Sequence, residues 1–405
     1  MTPGKTLLTS LVLVLSGAAA NAQALTNEEF STCIAQLSTR ANDEGISRTV
    51  IDNSLAQARL NPRVIELDRR QPEFTTTFAD YLNRRVDTQR IERGRMLLER
   101  HRPLLERVAG EYGIPAQYLV SFWGLETNYG SYFGRMPVLD SLATLACDTR
   151  RTDYFTGELL DALRILDEGA ISPERMEGSW AGAMGHVQFM PSVFLQYAVD
   201  YDGTGRRDLW GSLPDAMASA ANFLRALGWQ PGVRWGREVM LPEGFPYLEA
   251  GLTNRRPLTE WRELGISNAD GTPLPQADLP AALLVPAGHQ GPAFLVYQNF
   301  DVIMGWNRSE FYALAVGHLA DRIAGAAALQ QSPPEDAPRL HRDQVIELQT
   351  TLNEKGHDAG EADGILGPAT RAAISRFQDQ QDMIADGFPS LEVLQKLGVN
   401  LEESE

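Results

Sequence analysis

One stretch limits the possible folds more than any other. After Pro115, the residues Leu119, Val120, Phe122, Trp123 and Leu125 fall on nearly every side of a helix that Pro115 is suited to open. A helix without a polar face has to be surrounded by other elements. The chain is therefore expected to build a helical core around this segment. A carboxylate, Glu126, stands at its end within Gly124-Leu125-Glu126-Thr127-Asn128-Tyr129-Gly130. Burial disfavours the charged form, so Glu126 is expected to hold its proton to a higher pH than a surface glutamate. A carboxylic acid of that kind is what a departing glycosidic oxygen requires. A structural glutamate paired with an arginine or with backbone amides is the alternative.

The helical pattern runs from Asn27, a candidate cap, to about Leu227. It includes Asn53 to Arg59, Leu97 to Tyr112, Leu159 to Leu166 and Ala216 to Leu227. Between about Gly232 and Phe300 glycine and proline become frequent, and Arg237 to Leu241, Ala282 to Val285 and Ala293 to Tyr297 read as short strands. Helix returns from Ser309, a candidate cap, to Ala328, and Gln330 to Pro338 has the composition of a linker. The tail contains two related halves, each with Asp-Gly ahead of a helix: Asp363-Gly364 before Ala369 to Phe377, and Asp386-Gly387 before Leu391 to Leu397. Val345, Leu348 and Leu352 mark a helix in front of them. The expected architecture is mainly α: residues 23–329 with a β-containing subregion at 232–300, a linker at 330–338, and a three-helix module at 339–400.

Residues 1–22 read as a cleaved secretory signal, with Lys5, the apolar run Leu7 to Leu15, and Ala20-Asn21-Ala22 before the cut. The apolar run is too short to span a bilayer. No cysteine lies near the cut to carry a lipid, so a soluble periplasmic protein without a membrane anchor is expected. Losing Lys5 takes the formal charge of −17 to −18. So acidic a chain repels phosphate backbones and anionic headgroups, which argues against nucleic acid as a partner. Cys33 and Cys147 are the only cysteines. In an oxidising compartment they are expected to pair, two buried free thiols being the alternative. They are too few for the usual four-ligand structural zinc site.

Two further segments could carry function. Ser179-Trp180-Ala181-Gly182-Ala183-Met184-Gly185-His186-Val187-Gln188-Phe189-Met190-Pro191-Ser192 alternates small residues that would form a wall for a ring or chain, with Ser179 and Gln188 as hydrogen-bonding handles. Tight helix packing is the alternative. In Asp200-Tyr201-Asp202-Gly203-Thr204-Gly205-Arg206, acidic residues at positions one and three and glycine at six match a calcium loop, and Asp215 could close the shell. Thr204 departs from the usual Asp or Asn, no Glu stands at position twelve, and a plain turn is the alternative.

These motifs, with Arg150-Arg151 before Asp153-Tyr154-Phe155 and with Gly305-Trp306-Asn307, stand in the order and spacing of the membrane-bound lytic transglycosylase B family, which residues 27–325 resemble. The tail resembles the common peptidoglycan-binding module through LQTTLNEKGHDAG, DGILGPATRAAISRFQ and DGFPSLEVLQKL. The resemblance implies a lysozyme-like helical fold and cleavage of the β-1,4 bond between N-acetylmuramic acid and N-acetylglucosamine, leaving 1,6-anhydromuramic ends. Glu126 would act as acid and then base. No second carboxylate accompanies it in its motif, so the substrate's N-acetyl group would take the partner's place. Ser179, Gln188 and Asn307 match groove residues, and Arg150 and Arg151 match a basic pair suited to substrate carboxylates. Tyr81 and Tyr312 are weaker matches that could equally be core aromatics.

No cofactor is required for this chemistry, and any calcium would be structural. The expected partner is the peptidoglycan strand, with cell-wall enzyme complexes as further candidates; the protein is expected to be a monomer. Phe223 stands where relatives commonly carry tyrosine, so no phenol is predicted to assist Glu126. A hydrolytic muramidase and a non-catalytic wall-binding scaffold are the competing readings.

Overall fold

The computed structural model describes residues 25–70 and 76–401. The leader falls outside the described residues. The first helices are α1 (Asn27–Asp43), α2 (Arg48–Asn53), α3 (Pro62–Arg70), α4 (Phe78–Arg85), α5 (Thr88–Arg100) and α6 (Arg102–Tyr112). Thr26, rather than Asn27, caps α1: its hydroxyl accepts from Glu29 N while the Glu29 carboxylate accepts from Thr26 N. The helix expected over Asn53 to Arg59 lies earlier, capped by Ser47, and only a single 3-10 turn, Leu55–Gln57, follows it. The run from Leu97 to Tyr112 is two helices rather than one. Pro103 lacks the N–H that would continue α5, and it sits in the first turn of α6, where none is needed.

The apolar segment forms α7 (Ala116–Thr127), buried from Tyr118 to Leu125. It packs on α5, α6, α11 (Leu213–Ala226) and α14 (Glu310–Ile323). Ser121 Oγ donates to Val316 O at 2.7 Å across the α7–α14 contact. Asn128 and Tyr129 take left-handed backbone angles, φ 48° and 59°, which end the helix and fold Tyr129 back against it. Its hydroxyl donates to Arg90 O at 2.7 Å. Only glycine fits beside that ring, because a Cβ on Gly124 would lie 2.7 Å from Tyr129 Cζ. Helices α8 (Val138–Cys147), α9 (Thr152–Asp167) and α10 (Pro191–Tyr197) close the other side. Cys33 and Cys147 form the expected disulfide, tying α1 to the end of α8.

The three short apolar runs are strands β3 (Gly236–Met240), β6 (Pro280–Leu284) and β7 (Ala293–Val296). With β4 (Arg255–Pro257) and β5 (Ser267–Asn268) they form an antiparallel sheet of order β4-β6-β7-β3-β5. A separate two-stranded ribbon joins β1 (Met136–Pro137) to β2 (Glu177–Gly178). Alternation along β6 and β7 sends Ala282, Leu284, Phe294 and Val296 into the main helical core, while Ala281, Leu283, Ala293 and Leu295 meet Trp261 and Leu258 on the other face. Both faces are covered, which is why the strands read as continuous apolar runs.

Ser309 caps α14, which follows α13 (Gln298–Trp306) and ends at Ile323, short of the expected Ala328. The tail has its own core around α15 (Arg342–Glu354), α16 (Pro368–Gln380) and α17 (Leu391–Leu397). Its two halves repeat one bonding pattern. Gln349 donates to Asp363 and accepts from Gly364 N; Gln378 donates to Asp386 and accepts from Gly387 N. The module touches the rest of the chain where His289 meets Asp386 and where Arg339 pairs with Asp80. Among the described residues no helix is long and apolar enough to cross a membrane.

The disulfide joins residues 114 apart in sequence. Chain-entropy reasoning gives a closure of that length a stabilisation of about 4–5 kcal/mol. The double variant Cys33→Ser, Cys147→Ser should therefore melt clearly below the parent. Coincident melting curves would show that the bridge does not stabilise the fold.

Candidate active site

Glu126 occupies the last turn of α7 and is half-buried, in contrast to the sealed residues before it. Two neutral donors converge on the same carboxylate oxygen. Trp306 Nε1, from the end of α13, donates to Glu126 Oε1 at 3.0 Å, and the Tyr312 hydroxyl, from the first turn of α14, donates to Oε1 as well. Trp306 lies among Phe122, Phe189 and Phe223, with ring centroids 4.5, 5.4 and 5.2 Å away. Burial, and then the neighbouring Glu126, push the Tyr312 phenol well above its ordinary range, so it stays a neutral donor. Tyr81 stacks obliquely on Phe311 at 5.9 Å, and Arg85 covers its ring while donating to Leu125 O at 3.4 Å.

This geometry corrects one expectation and refines another. Phe223 brings no hydroxyl and packs on Trp306, yet a phenol does reach Glu126, because the Ser309 cap starts α14 so that Tyr312 faces the end of α7. In Gly305-Trp306-Asn307 it is the indole that meets the carboxylate, whereas Asn307 is exposed just beyond the helix end. Trp306 was not singled out from sequence. Its type suggests core packing, and the signal for more was its place inside a motif otherwise read for its asparagine.

From Ser179 to Met190 the segment is a chain of turns rather than a packed helix, with bridges joining Gly178 to Met184 and Met184 to Phe189, and Pro191 and Ser192 open α10. Ser179 Oγ accepts from Ala181 N and Ala183 N at 3.3 and 3.0 Å. Gln188 has φ 50°, and its amide donates to Phe133 O and Gly185 O at 3.1 and 3.0 Å. The segment is bolted to α7 through His186. Its Nδ1 accepts from Trp123 Nε1 at 2.9 Å and its carbonyl accepts from Thr127 Oγ1 at 2.9 Å. Burial lowers the His186 pKa to about 4, which keeps the ring neutral and able to accept.

Arg150 and Arg151 both turn to Asp68, a carboxylate only 1% exposed. Arg150 Nη1 lies 2.8 Å from one carboxylate oxygen and Arg151 pairs with the other, with its guanidinium also over the Phe155 ring. One buried charge thus holds two cations whose side chains remain 49% and 36% exposed.

After α10, Asp200, Asp202 and Asp215 each place a carboxylate oxygen within 4.8 Å of the others. Asp215, at the start of α11, accepts from Tyr201 N, Asp202 N and Asp208 N, and Asp200 accepts from Thr204 N and Gly205 N. Thr204 therefore contributes its amide to the loop, and Arg206 is exposed. Oxygens gathered in this way fit a hard cation such as calcium.

Comparison with known proteins finds two family matches along the chain. Residues 29–321 match the transglycosylase SLT domain family, and residues 341–397 match the putative peptidoglycan-binding domain family. The chain is 31% identical to membrane-bound lytic murein transglycosylase B of Escherichia coli (strain K12), over 70% of this chain and 80% of that protein. The crystal structure of SltB3 from Pseudomonas aeruginosa in complex with NAG-anhNAM-pentapeptide is 45% identical with TM-score 0.88, covering 91% of this chain and 99% of that one. The Escherichia coli lytic transglycosylase SLT35, solved in complex with calcium, is 30% identical with TM-score 0.64, over 72% of this chain and 92% of that one. The fold is the lysozyme-like helical one that the motifs implied, and the chain belongs to the lytic transglycosylases, enzymes that act on peptidoglycan.

Proposed function

We propose that the enzyme cuts the β-1,4 bond between N-acetylmuramic acid and N-acetylglucosamine and leaves 1,6-anhydromuramic ends, with Glu126 as acid and then base. The observation that carries this reading is a half-buried carboxylate, at the end of an enclosed helix, with one oxygen held by two neutral donors. Neutral Glu126 gives its proton to the glycosidic oxygen as the C1–O bond breaks. The substrate's N-acetyl oxygen stabilises the cationic C1. The Glu126 carboxylate, its charge shared with Trp306 and Tyr312, then takes the proton from the C6 hydroxyl, and O6 closes on C1. No water is consumed, and Glu126 ends protonated as it began. The relative solved with NAG-anhNAM-pentapeptide supports an anhydro product here.

Ser179, Gln188 and Asn307 would line the sugar groove. Tyr81 would border it, and the exposed N–H groups of Arg150 and Arg151 would meet substrate carboxylates. The tail module, 339–400, would hold the enzyme to the wall after a leader at 1–22 had sent the chain to the periplasm. Glu126→Gln should cut muropeptide release at least about 100-fold and leave binding to sacculi intact, and parental products should be lighter by one water than the corresponding reducing-end fragments. Parental rates in Glu126→Gln would remove the acid/base role, while reducing ends would make the enzyme a hydrolytic muramidase.

We further propose that Asp200, Asp202 and Asp215 hold a structural calcium, with backbone carbonyls near Thr204 and Arg206 completing the shell. The SLT35 complex with calcium supports this reading. Calcium at a hundredfold excess over its Kd should stabilise the protein by roughly 2–3 kcal/mol, and Asp200→Asn with Asp202→Asn should erase the response. A melting temperature indifferent to calcium and to chelator would leave the loop a simple turn.

A further inference from the structure

A short stretch of chain joins the two residues that donate to Glu126. Trp306 ends α13, Tyr312 lies in the first turn of α14, and residues 307–311 connect them. This connector does not rest on the catalytic core alone. Met304, Ser309 and Phe311 face Leu366 and Pro368 of the tail module across a cavity of about 160 Å³. Arg371 of α16 crosses that seam. Its guanidinium lies over the Phe311 ring, 5.6 Å from the centroid, and its Nη1 donates to Pro286 O at 3.4 Å on the turn after β6. A cation in that place is attracted by the electron-rich face of the ring. Phe311 packs in turn on Phe78 and Tyr81 of α4, with centroids 5.2 and 5.9 Å away. Since Phe311 precedes Tyr312 directly, whatever holds its ring also holds the backbone that carries the phenol. The linker is fastened as well: the N–H groups of Gln330 and Gln331 donate to the Glu238 carboxylate of β3, both at 2.9 Å. A module that served only as a tether would need neither this fastening nor a seat on the chain that supports the acid.

We propose that the tail module is part of the support of the acid, with Arg371 as a positioning residue: seated on Phe311, it holds the α13–α14 connector so that the Trp306 and Tyr312 donors stay on Glu126. The inference rests on the acid/base role of Glu126 and extends its support to a residue of the tail. It couples two tasks that the chain otherwise divides between separate cores. With the module lifted from its seat, the groove keeps all its residues but the hold on the acid loosens, so turnover is fastest with the module docked.

The test uses the full-length enzyme on soluble glycan chains, where attachment to an insoluble wall plays no part. Arg371→Ala should lower kcat about fivefold with KM little changed, in line with the strength of a partly desolvated cation–π contact. Arg371→Lys keeps a cation over the ring and should restore most of the loss. Phe311→Leu should slow turnover by a similar factor, and the double variant Arg371→Ala, Phe311→Leu should be no slower than the slower single variant, because each change removes the same contact. Pull-down of Arg371→Ala on sacculi should match that of the parent. Unchanged kcat in Arg371→Ala, with or without a change in KM, overturns the proposal and leaves the module a tether. So do single-variant losses that simply multiply in the double variant, and so does an Arg371→Lys enzyme as slow as Arg371→Ala. Activity retained by Glu126→Gln would instead defeat the acid/base reading beneath it.

Discussion

A carboxyl group at the end of a helix that water does not reach is the constraint around which the molecule is arranged. Helix α7 is enclosed by α5, α6, α11 and α14, and one of these, α14, also carries the Tyr312 hydroxyl that reaches Glu126. The main core and the acid are therefore one construction. Burying a carboxylate is costly when its oxygens lack donors. Here the donors come from α13 and α14, which are far away in sequence and adjacent in space. Both are neutral hydrogen-bond donors, an indole N–H and a phenol O–H.

The handling of charge elsewhere is different. Asp68 binds two guanidinium groups at once, and Asp215 is satisfied by three backbone amides in a turn at the start of a helix. Those carboxylates fasten chain segments to one another. Glu126, by contrast, receives an indole N–H and a phenol O–H from two helices distant in sequence.

Much of this was legible in the sequence, for physical reasons that can be named. The apolar run through Leu119 and Phe122 could only be an enclosed helix, and short valine- and leucine-rich runs between glycines and prolines could only pair as buried strands. The Asp-Gly pairs announced turns, and each glycine there has positive φ. Boundaries were less legible: a proline that reads as a mild interruption in Leu97 to Tyr112 restarts the helix, and Thr26 rather than Asn27 supplies the cap. Contacts between distant residues were the least legible. Nothing in the residue types of Trp306 or Tyr312 separates a core aromatic from a donor aimed at a carboxylate, since that depends on how α13 and α14 approach α7. Likewise, Arg150 and Arg151 give no local sign that a single aspartate 82 and 83 residues away receives them.

The five-stranded sheet has a consequence for how the protein comes apart. Leu284 and Phe294 belong to the helical core, and Leu283 and Leu295, their immediate neighbours, belong to the smaller one on the opposite face. A segment that resembles an insertion in sequence is thus a partition wall held from both sides. Pulling it away would strip the lining from the compartment that encloses α7, so the two cores are mechanically inseparable and should yield together, while the tail, built on separate apolar contacts, can give way alone.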